Sequence, residues 1–388
     1  MKRRLLMTAS TFPRWEGDGE PRFILDLAKA LQPYYDVTVL APSAPGAAKK
    51  ETLEGVHVVR YRYFPVKKWE TLCYPGAIAF RIKEKKARAL LVPFLFAGLW
   101  LKLLRMQKDY DIIHGHWLIP QGIIHGLFRK PMLITCHGSD VRAMNKFPIL
   151  NLKKRCLKRA AAVTAVSDYL AGQVKELCGR EDIRVLPMGC HTGDFTPDKR
   201  QEQLFRQGDK QVVLFAGRLS ENKGVRYLVD AMKSIPNAKL VIAGDGPERA
   251  ALEAQAAANG IDAQFLGNKT HEELAVIYAS ADVLCAPSVI MPNGAQEGFG
   301  LVLVEAMASG LPVVGTATGG IPTIVKDGRN GLLVPDKDSA ALAGALQRIL
   351  SLSPDERRAY AACARETALQ FDYEVIGREY ARVLDGVK

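Results

Sequence analysis

The residues best suited to do chemistry lie in one short stretch, Glu297 to Glu305, where two carboxylates stand eight positions apart around Gly298, Phe299 and Gly300. A helix-compatible apolar run starts at Leu301 and closes against Gly310 and Pro312. The first amides of a helix have no internal acceptors and carry partial positive charge, so an anion belongs there. Gly298 and Gly300 lack a Cβ and would let a phosphate approach the backbone closely. Glu305, one to two turns on, is placed to accept hydrogen bonds from a sugar attached to that phosphate, and Glu297 stands at the mouth, where a second polyol would lie. A structural reading stays open: Glu297 complementing the helix N-terminus and Glu305 on a solvated face.

Three more groups of residues follow strand-like runs. VVLFA leads into Gly217, Arg218 and, five positions later, Lys223. A guanidinium fork and an ammonium together would neutralise a diphosphate without a metal, the alternative being a solvated basic loop. KLVIA leads into GDGP, which lacks the third glycine of a dinucleotide fingerprint and reads as a tight strand-to-helix turn. MLITC leads into His137, a donor for a sugar hydroxyl or a structural turn histidine. His114 and His116, two apart on a strand, share a face as metal ligands would, but no third ligand stands nearby.

These residues need strands to carry them. Short apolar runs at 4–9, 37–40, 56–59, 112–113, 132–135, 161–166 and 183–186 alternate with helix-length segments, including one from Arg22 to Leu31. Alternation of this kind predicts a parallel sheet covered on both faces. The pattern lapses over 191–210, taken as a linker, and restarts with runs at 212–216, 239–243, 263–266, 283–286 and 313–314. The fold class expected is α/β, with two Rossmann-like doubly wound domains at 1–190 and 211–370. Ligands then belong at the carboxyl ends of the strands, in a cleft between the domains.

At 388 residues and 48% hydrophobic, the chain can bury more than one core. Its seven cysteines are scattered and never spaced CxxC, which argues against a disulfide framework or zinc ribbon and fits a reducing compartment. The N-terminus has too short an apolar run for a signal peptide, and the longest such run, Ala89 to Leu101, is thirteen residues against about twenty needed to span a bilayer. No transmembrane helix is expected. Residues 1–190 carry 32 Lys and Arg against 16 Asp and Glu, a net of +16, whereas the remainder carries 21 against 25, a net of −4. A basic half suits a phosphorylated substrate or anionic lipid, and residues 83–105, where KEKKAR meets an apolar stretch, fit either an interfacial helix or an ordinary sheet-covering one. Nucleic acid is disfavoured because no zinc-finger, RNP or basic-zipper pattern is present.

GRLSENKG, AGDGPER, FLGN and EGFGLVLVEAMASGLPVVGTATGGIPTIVKDGRNGLLVP, in this order, resemble family 4 of the retaining, metal-independent glycosyltransferases of the GT-B fold. The resemblance covers nearly the whole chain. It implies that Arg218 and Lys223 hold the donor diphosphate, Glu305 the nucleotide ribose and Glu297 the hydroxyls of the transferred sugar. The amides around Gly298, Phe299, Gly300 and Leu301 would add phosphate contacts, and His137 would line the reacting centre opposite Glu297. Asn268 and Lys269 would lie near the base. Where such enzymes commonly have a Gly-Gly pair in the first loop, this chain has Asp18 and Gly19; Gly19 carries over, while Asp18 puts a carboxylate where an anion approaches. A final helix, 371–388, would cross back to the N-terminal domain.

TFPRWEGDGEPRF, HGHWLIPQG and SVIMPNGAQEG further resemble bacterial enzymes building cell-surface polysaccharides such as lipopolysaccharide, often on lipid-linked acceptors. The expectation is a hexosyltransferase using a nucleotide diphosphate sugar and no divalent metal or other cofactor, with a glycolipid or oligosaccharide acceptor. It would work in the cytoplasm, peripherally at the inner face of the membrane. Two other functions remain open from sequence: a nucleotide-sugar epimerase of the same fold, and a non-catalytic two-domain sugar-binding protein.

Overall fold

The computed structural model describes residues 2–205, 208 and 210–388, and these divide into two compact units, Met1–Gly189 with Tyr373–Lys388, and Cys190–Asp372.

The first unit is built on an eight-stranded sheet, β1 (Arg4–Thr8), β2 (Asp36–Pro42), β3 (Lys50–Leu53), β4 (Val56–Tyr61), β5 (Ile112–His116), β6 (Met132–Cys136), β7 (Ala162–Ala165) and β8 (Arg184–Val185), in the order β3-β4-β2-β1-β5-β6-β7-β8. All neighbours pair parallel except β3 with β4. Beyond Arg4, β1, β5 and β6 are buried without alternation because helices cover both faces, and Leu5, Leu6 and Met7 are at most 1% exposed. The helix Phe23–Leu31 packs on the sheet and on the last helix, Tyr373–Asp385, which belongs to this unit. That contact is close because Gly377 meets Ala30: a Cβ at 377 would stand 2.7 Å from the Ala30 Cβ. Tyr380, on the same helix, is fully buried and donates to the Leu186 carbonyl at 2.9 Å.

A further helix, Val92–Met106, follows a 3₁₀ segment, Lys86–Leu91. Together they make a 21-residue stretch whose most apolar 18 residues have a mean hydropathy of 1.7, long and apolar enough by length and composition to cross a membrane. The uninterrupted apolar run ends at Leu101, whereas the helix continues through Lys102 and Arg105, within one residue of the end of the segment 83–105 expected to be helical. Leu95, Leu99 and Leu103 turn into the unit and are at most 1% exposed. At Gly98 the helix passes so close to the end of β4 that a Cβ would lie 2.8 Å from the Arg62 carbonyl.

The second unit has a six-stranded all-parallel sheet, β9 (Gln211–Ala216), β10 (Ala238–Ala243), β11 (Ala263–Gly267), β12 (Val283–Ala286), β13 (Val313–Thr316) and β14 (Gly331–Val334), in the order β11-β10-β9-β12-β13-β14. The chain enters and leaves this unit side by side: Cys190 N–H donates to the Phe371 carbonyl at 2.8 Å and the Thr192 hydroxyl to Asp372 at 2.6 Å. The stretch 191–210, expected to be a linker, lies in this unit where described: Phe195 is fully buried and Arg200 donates to the carbonyls of Ala279 and Ala281. Arg206, Gln207 and Asp209 of that stretch lie outside the described residues.

Candidate functional site

In a doubly wound sheet the ligand crevice opens where the strand order reverses, beyond the carboxyl ends of the two strands flanking the reversal. In the second unit those strands are β9 and β12. The loop after β9 carries Arg218 and Lys223; the loop after β12 runs to Glu297 and into the helix Leu301–Ala308. The two loops touch, with Val289 N–H donating to the Asn222 carbonyl at 2.9 Å, and Gly224, in the left-handed region, leaves no room for a Cβ, which would fall 2.1 Å from the Pro287 carbonyl.

This contact brings the Lys223 ammonium onto the Glu297 carboxylate as an ion pair. Glu297 also accepts from the Gly298 amide at 3.1 Å and from the Phe299 amide. Burial pushes the Glu297 carboxyl up, but the Lys223 ammonium and these amides outweigh it and hold the group below its ordinary range. The ammonium and helix-start amides expected to meet a diphosphate are therefore engaged by Glu297. Phe299 is 7% exposed, its ring 5.6 Å from that of Phe371, and Gly300, at φ +100°, caps the helix that Leu301 begins.

The Glu297 turn rests on residues to which no role was assigned from sequence. Gly320 N–H donates to the Glu297 carbonyl at 2.9 Å and Gly319 N–H to the Gln296 side chain at 2.7 Å. A Cβ at Gly319 or Gly320 would lie 2.1 Å from the Glu297 carbonyl or 2.3 Å from that of Gly298. The glycine pair in TATGGIP was visible in the sequence, but its partner was not. AGDGP does the same for the Arg218 loop: Cβ atoms at Gly244 and Gly246 would stand 1.9 and 2.2 Å from the carbonyls of Gly217 and Leu219. This confirms the turn reading of that motif. Arg218 itself is exposed at the end of β9.

Eight residues after Glu297, Glu305 is half-buried and accepts from the Tyr278 hydroxyl at 2.9 Å. Burial pushes its carboxyl up to about 7, against the Tyr278 hydrogen bond, which lowers it. Sugar hydroxyls donate best to the ionised form. If Glu305 holds the ribose, affinity for nucleotide diphosphate will fall as pH drops through about 7. Tyr278→Phe will move that fall to higher pH, and calorimetric titrations at several pH values check both shifts. For stability the sign is opposite. A carboxyl titrating near 7 when folded and near its ordinary value of 4.5 when unfolded binds an extra proton in the folded state between those values, so its contribution is lost as pH rises through that window.

Asn268 and Lys269 stand past the end of β11, at the sheet edge, with β10 between them and β9. Lys269 is committed to Glu273 at 2.9 Å.

In the first unit the strand order reverses between β1 and β5, and His137 directly follows the neighbouring β6. Asp140, 4% exposed and not singled out from sequence, shapes this turn. Its carboxylate accepts from the amides of His137 at 3.2 Å, Gly138 at 2.8 Å and Leu118 at 2.8 Å. His137 Nε2 lies 3.0 Å from His116 Nδ1. Behind it the rings of His114 and His116 stack at 4.2 Å, and His114 Nε2 bonds the Thr135 hydroxyl at 2.7 Å. Burial lowers His114 and His137 to about 3 and His116 well below its ordinary value, so all three are neutral at pH 7. His116 Nε2 is buried without a partner, and a lone pair there costs less than a stranded N–H. His116 Nδ1–H then donates to His137 Nε2, and His137 carries its proton on Nδ1. That makes it a hydrogen-bond donor rather than a general base. His114 and His116 do share a face, but among the described residues no group of three or more His, Cys, Asp or Glu is placed to hold a metal ion.

Gly19 lies in the loop after β1, exposed, with nothing within 4 Å of a Cβ added there. Asp18 is held by Arg14, whose guanidinium and amide both donate to it, and by Tyr74 at 3.2 Å. Burial raises the Asp18 carboxyl, yet Arg14 brings it below the usual range, so its charge is met within the loop. Arg14 in turn lies between the rings of Trp15 and Tyr74, 3.8 Å from each centroid. His137, Gly19 and Asp18 belong to the first unit, and the remaining candidate residues to the second.

Residues 17–193 match the family model Glycosyltransferase Family 4 and residues 197–367 the model Glycosyl transferases group 1. An uncharacterized glycosyltransferase of Methanocaldococcus jannaschii is 30% identical over 78% of this chain and 77% of its own length. The phosphatidyl-myo-inositol mannosyltransferase of Mycobacterium leprae is 29% identical over 95% of this chain and 93% of its own. Among solved structures, Anabaena HepE in complex with UDP and glucose superposes with a TM-score of 0.73 at 23% identity, covering 99% of each chain. The two parallel-sheet units are those of a GT-B glycosyltransferase, and the chain belongs to the family 4, group 1 glycosyltransferases.

Proposed function

We propose that this glycosyltransferase moves a hexosyl unit from a nucleotide diphosphate sugar to a hydroxyl of a lipid-linked or oligosaccharide acceptor, retaining the anomeric configuration and using no divalent metal. The observation that carries this reading is the cluster beyond β9 and β12, where Lys223, Glu297 and the helix-start amides meet, with Glu305 eight residues on. In the reaction the bond from the anomeric carbon to the diphosphate breaks and a bond to the acceptor oxygen forms, and the acceptor proton passes to the leaving diphosphate. Arg218, Lys223 and the amides of Gly298, Phe299, Gly300 and Leu301 stabilise the charge that develops there. As the diphosphate draws Lys223 away, Glu297 is released to the hydroxyls of the transferred sugar. His137 donates from Nδ1 to a sugar oxygen, Gly19 lets the donor approach the first loop, and Asn268 and Lys269 flank the base.

Two likenesses support the choice of substrates: HepE is solved with UDP and glucose, and the Mycobacterium leprae relative is a phosphatidyl-myo-inositol mannosyltransferase. The product belongs to cell-surface polysaccharide or glycolipid, lipopolysaccharide included, and the enzyme works in the cytoplasm at the inner face of the membrane. The test is to supply nucleotide sugars and a glycolipid acceptor in the presence of a chelator and determine the product's anomeric configuration by NMR. The expected product keeps the donor's configuration and forms at full rate. An inverted linkage would remove retention, and a rate restored only by magnesium would remove metal independence.

A further inference from the structure

Away from both strand-end sites, the first unit holds a cavity of about 450 Å³ beyond the end of β2, lined by Ser43, Ala44, Pro45, Lys67, Lys68 and Glu70. Lys67 and Lys68 are exposed on a 3₁₀ turn. The one acid in the lining is committed elsewhere: Glu70 accepts from the amides of Tyr63 at 2.7 Å and Phe64 at 3.0 Å and pairs with Arg62 at 2.8 Å. Among the described residues neither lysine is ion-paired.

The cavity adjoins an apolar surface. Phe64 packs on Trp69 of the same turn, centroids 5.6 Å apart, and on Phe94 of the helix Val92–Met106 at 4.8 Å. Opposite its buried Leu95, Leu99 and Leu103, that helix exposes Phe94, Trp100, Leu101 and Leu104 by 39 to 46%, and Leu90 just before it by 75%. A helix apolar on both faces, with only one packed, leaves the other unpartnered. Residues 62–105 also carry ten Lys and Arg against two Glu, and both acids are paired, Glu70 with Arg62 and Glu84 with Arg81 and Arg88. Positive charge therefore flanks the stripe: Lys83, Lys85 and Lys86 precede it, Lys102 falls within its last turn, and Arg105 follows. Exposed apolar side chains in a basic rim fit the headgroup and acyl boundary of an anionic bilayer. The buried leucines and the close Gly98 contact hold the helix along the unit, so it lies in the interface rather than spanning it.

We propose that this face docks the first unit on an anionic bilayer, the stripe from Leu90 to Leu104 among acyl chains and one lipid phosphate in the cavity between Lys67 and Lys68. Its purpose, presenting a lipid acceptor, rests on the function proposed above, but docking requires neither donor nor acceptor, so the two fail separately.

The test sediments the full chain with phosphatidylcholine vesicles, with and without phosphatidylglycerol. Binding should be at least tenfold tighter to the anionic vesicles. Phe94→Glu with Leu101→Glu should reduce it by roughly 100-fold, and Lys67→Ala with Lys68→Ala by roughly 30-fold. Arg155→Ala with Lys158→Ala, an equal charge change on the helix Ile149–Arg159, should alter it less than threefold. Melting temperature and stabilisation by nucleotide diphosphate, read on every variant, should stay at wild-type values and establish that each is folded. Wild-type protein left in the supernatant, or full binding by the Phe94 and Leu101 variant, overturns the docking face. Equal losses from the two charge-removing pairs overturn the phosphate site, and capture only by a membrane protein overturns the bilayer as partner.

Discussion

Lys223→Ala will lower the rate constant for sugar transfer by roughly 10²–10³-fold, the usual effect of removing one preorganised group that meets charge as it forms. The loss has two sources, because Lys223 is paired with Glu297, whose side chain is 15% exposed. Without the ammonium, the diphosphate leaves unassisted, and the Glu297 carboxyl stays in place with burial no longer outweighed. Burial raises that group, so its titration moves up, and the activity profile of the variant will gain an acid limb that the wild type lacks at the same pH. The stability sign follows. In the wild type a carboxyl held below its unfolded value contributes stability above that value, lost as pH falls through the folded one. Lys223→Ala removes the contribution. Steady-state rates between pH 5 and 9 check the prediction, and a wild-type kcat would take Lys223 out of the reaction.

Gly319→Ala will cost about 100-fold in rate with only a modest loss of stability. The Cβ would sit 2.1 Å from the Glu297 carbonyl, so roughly an ångström of separation must open between the two loops. Misplacement by about that distance commonly costs 10² in rate. Backbone strain adds about 1–2 kcal/mol, since φ at this residue is +54°. Gly328→Ala separates the two effects: φ there is +73°, but nothing lies within 4 Å of the new Cβ, so it should lower the melting temperature without changing kcat. Equal kcat in both variants would mean that the Gly319 loop does not position Glu297.

Most strands were legible because buried parallel strands announce themselves as apolar runs of four to eight residues. β3 and β14 were not. Lys50, Glu51 and Thr52 give β3 a polar edge with one partner, paired antiparallel to β4, and no burial pattern survives in its sequence. β14 is as long as β12 and β13, but its three apolar residues, Leu332 to Val334, stand between Asn330-Gly331 and Pro335, which read as a loop. The helix Val92–Met106 was visible within 83–105, but its full apolar length was not, because an apolar count stops at a lysine whose stem can lie along the surface. In the candidate site, Glu297, Glu305, Arg218, Lys223 and His137 stood out because each follows a strand end or helix start. Tyr278, Asp140, Gly319 and Gly320 did not, since what they do depends on a partner that only the fold supplies. The pairing of Lys223 with Glu297 belongs to the same class: 74 residues separate them, and opposite charges at that distance say nothing until β9 and β12 are adjacent.

The order in which the first unit is assembled bears on its synthesis. Its sheet is complete by Val185, but the helix that carries Gly377 and Tyr380 follows only after the 183 residues from Cys190 to Asp372. At ribosomal rates that gap lasts roughly 10–40 s. Throughout it Ala30, the His114 ring and the Leu186 carbonyl lack the partners that the last helix brings to them, while the second unit emerges as one uninterrupted segment able to fold first. The nascent chain therefore passes through a long interval with its later half finished and its earlier half open, which is when chaperone capture matters most for it.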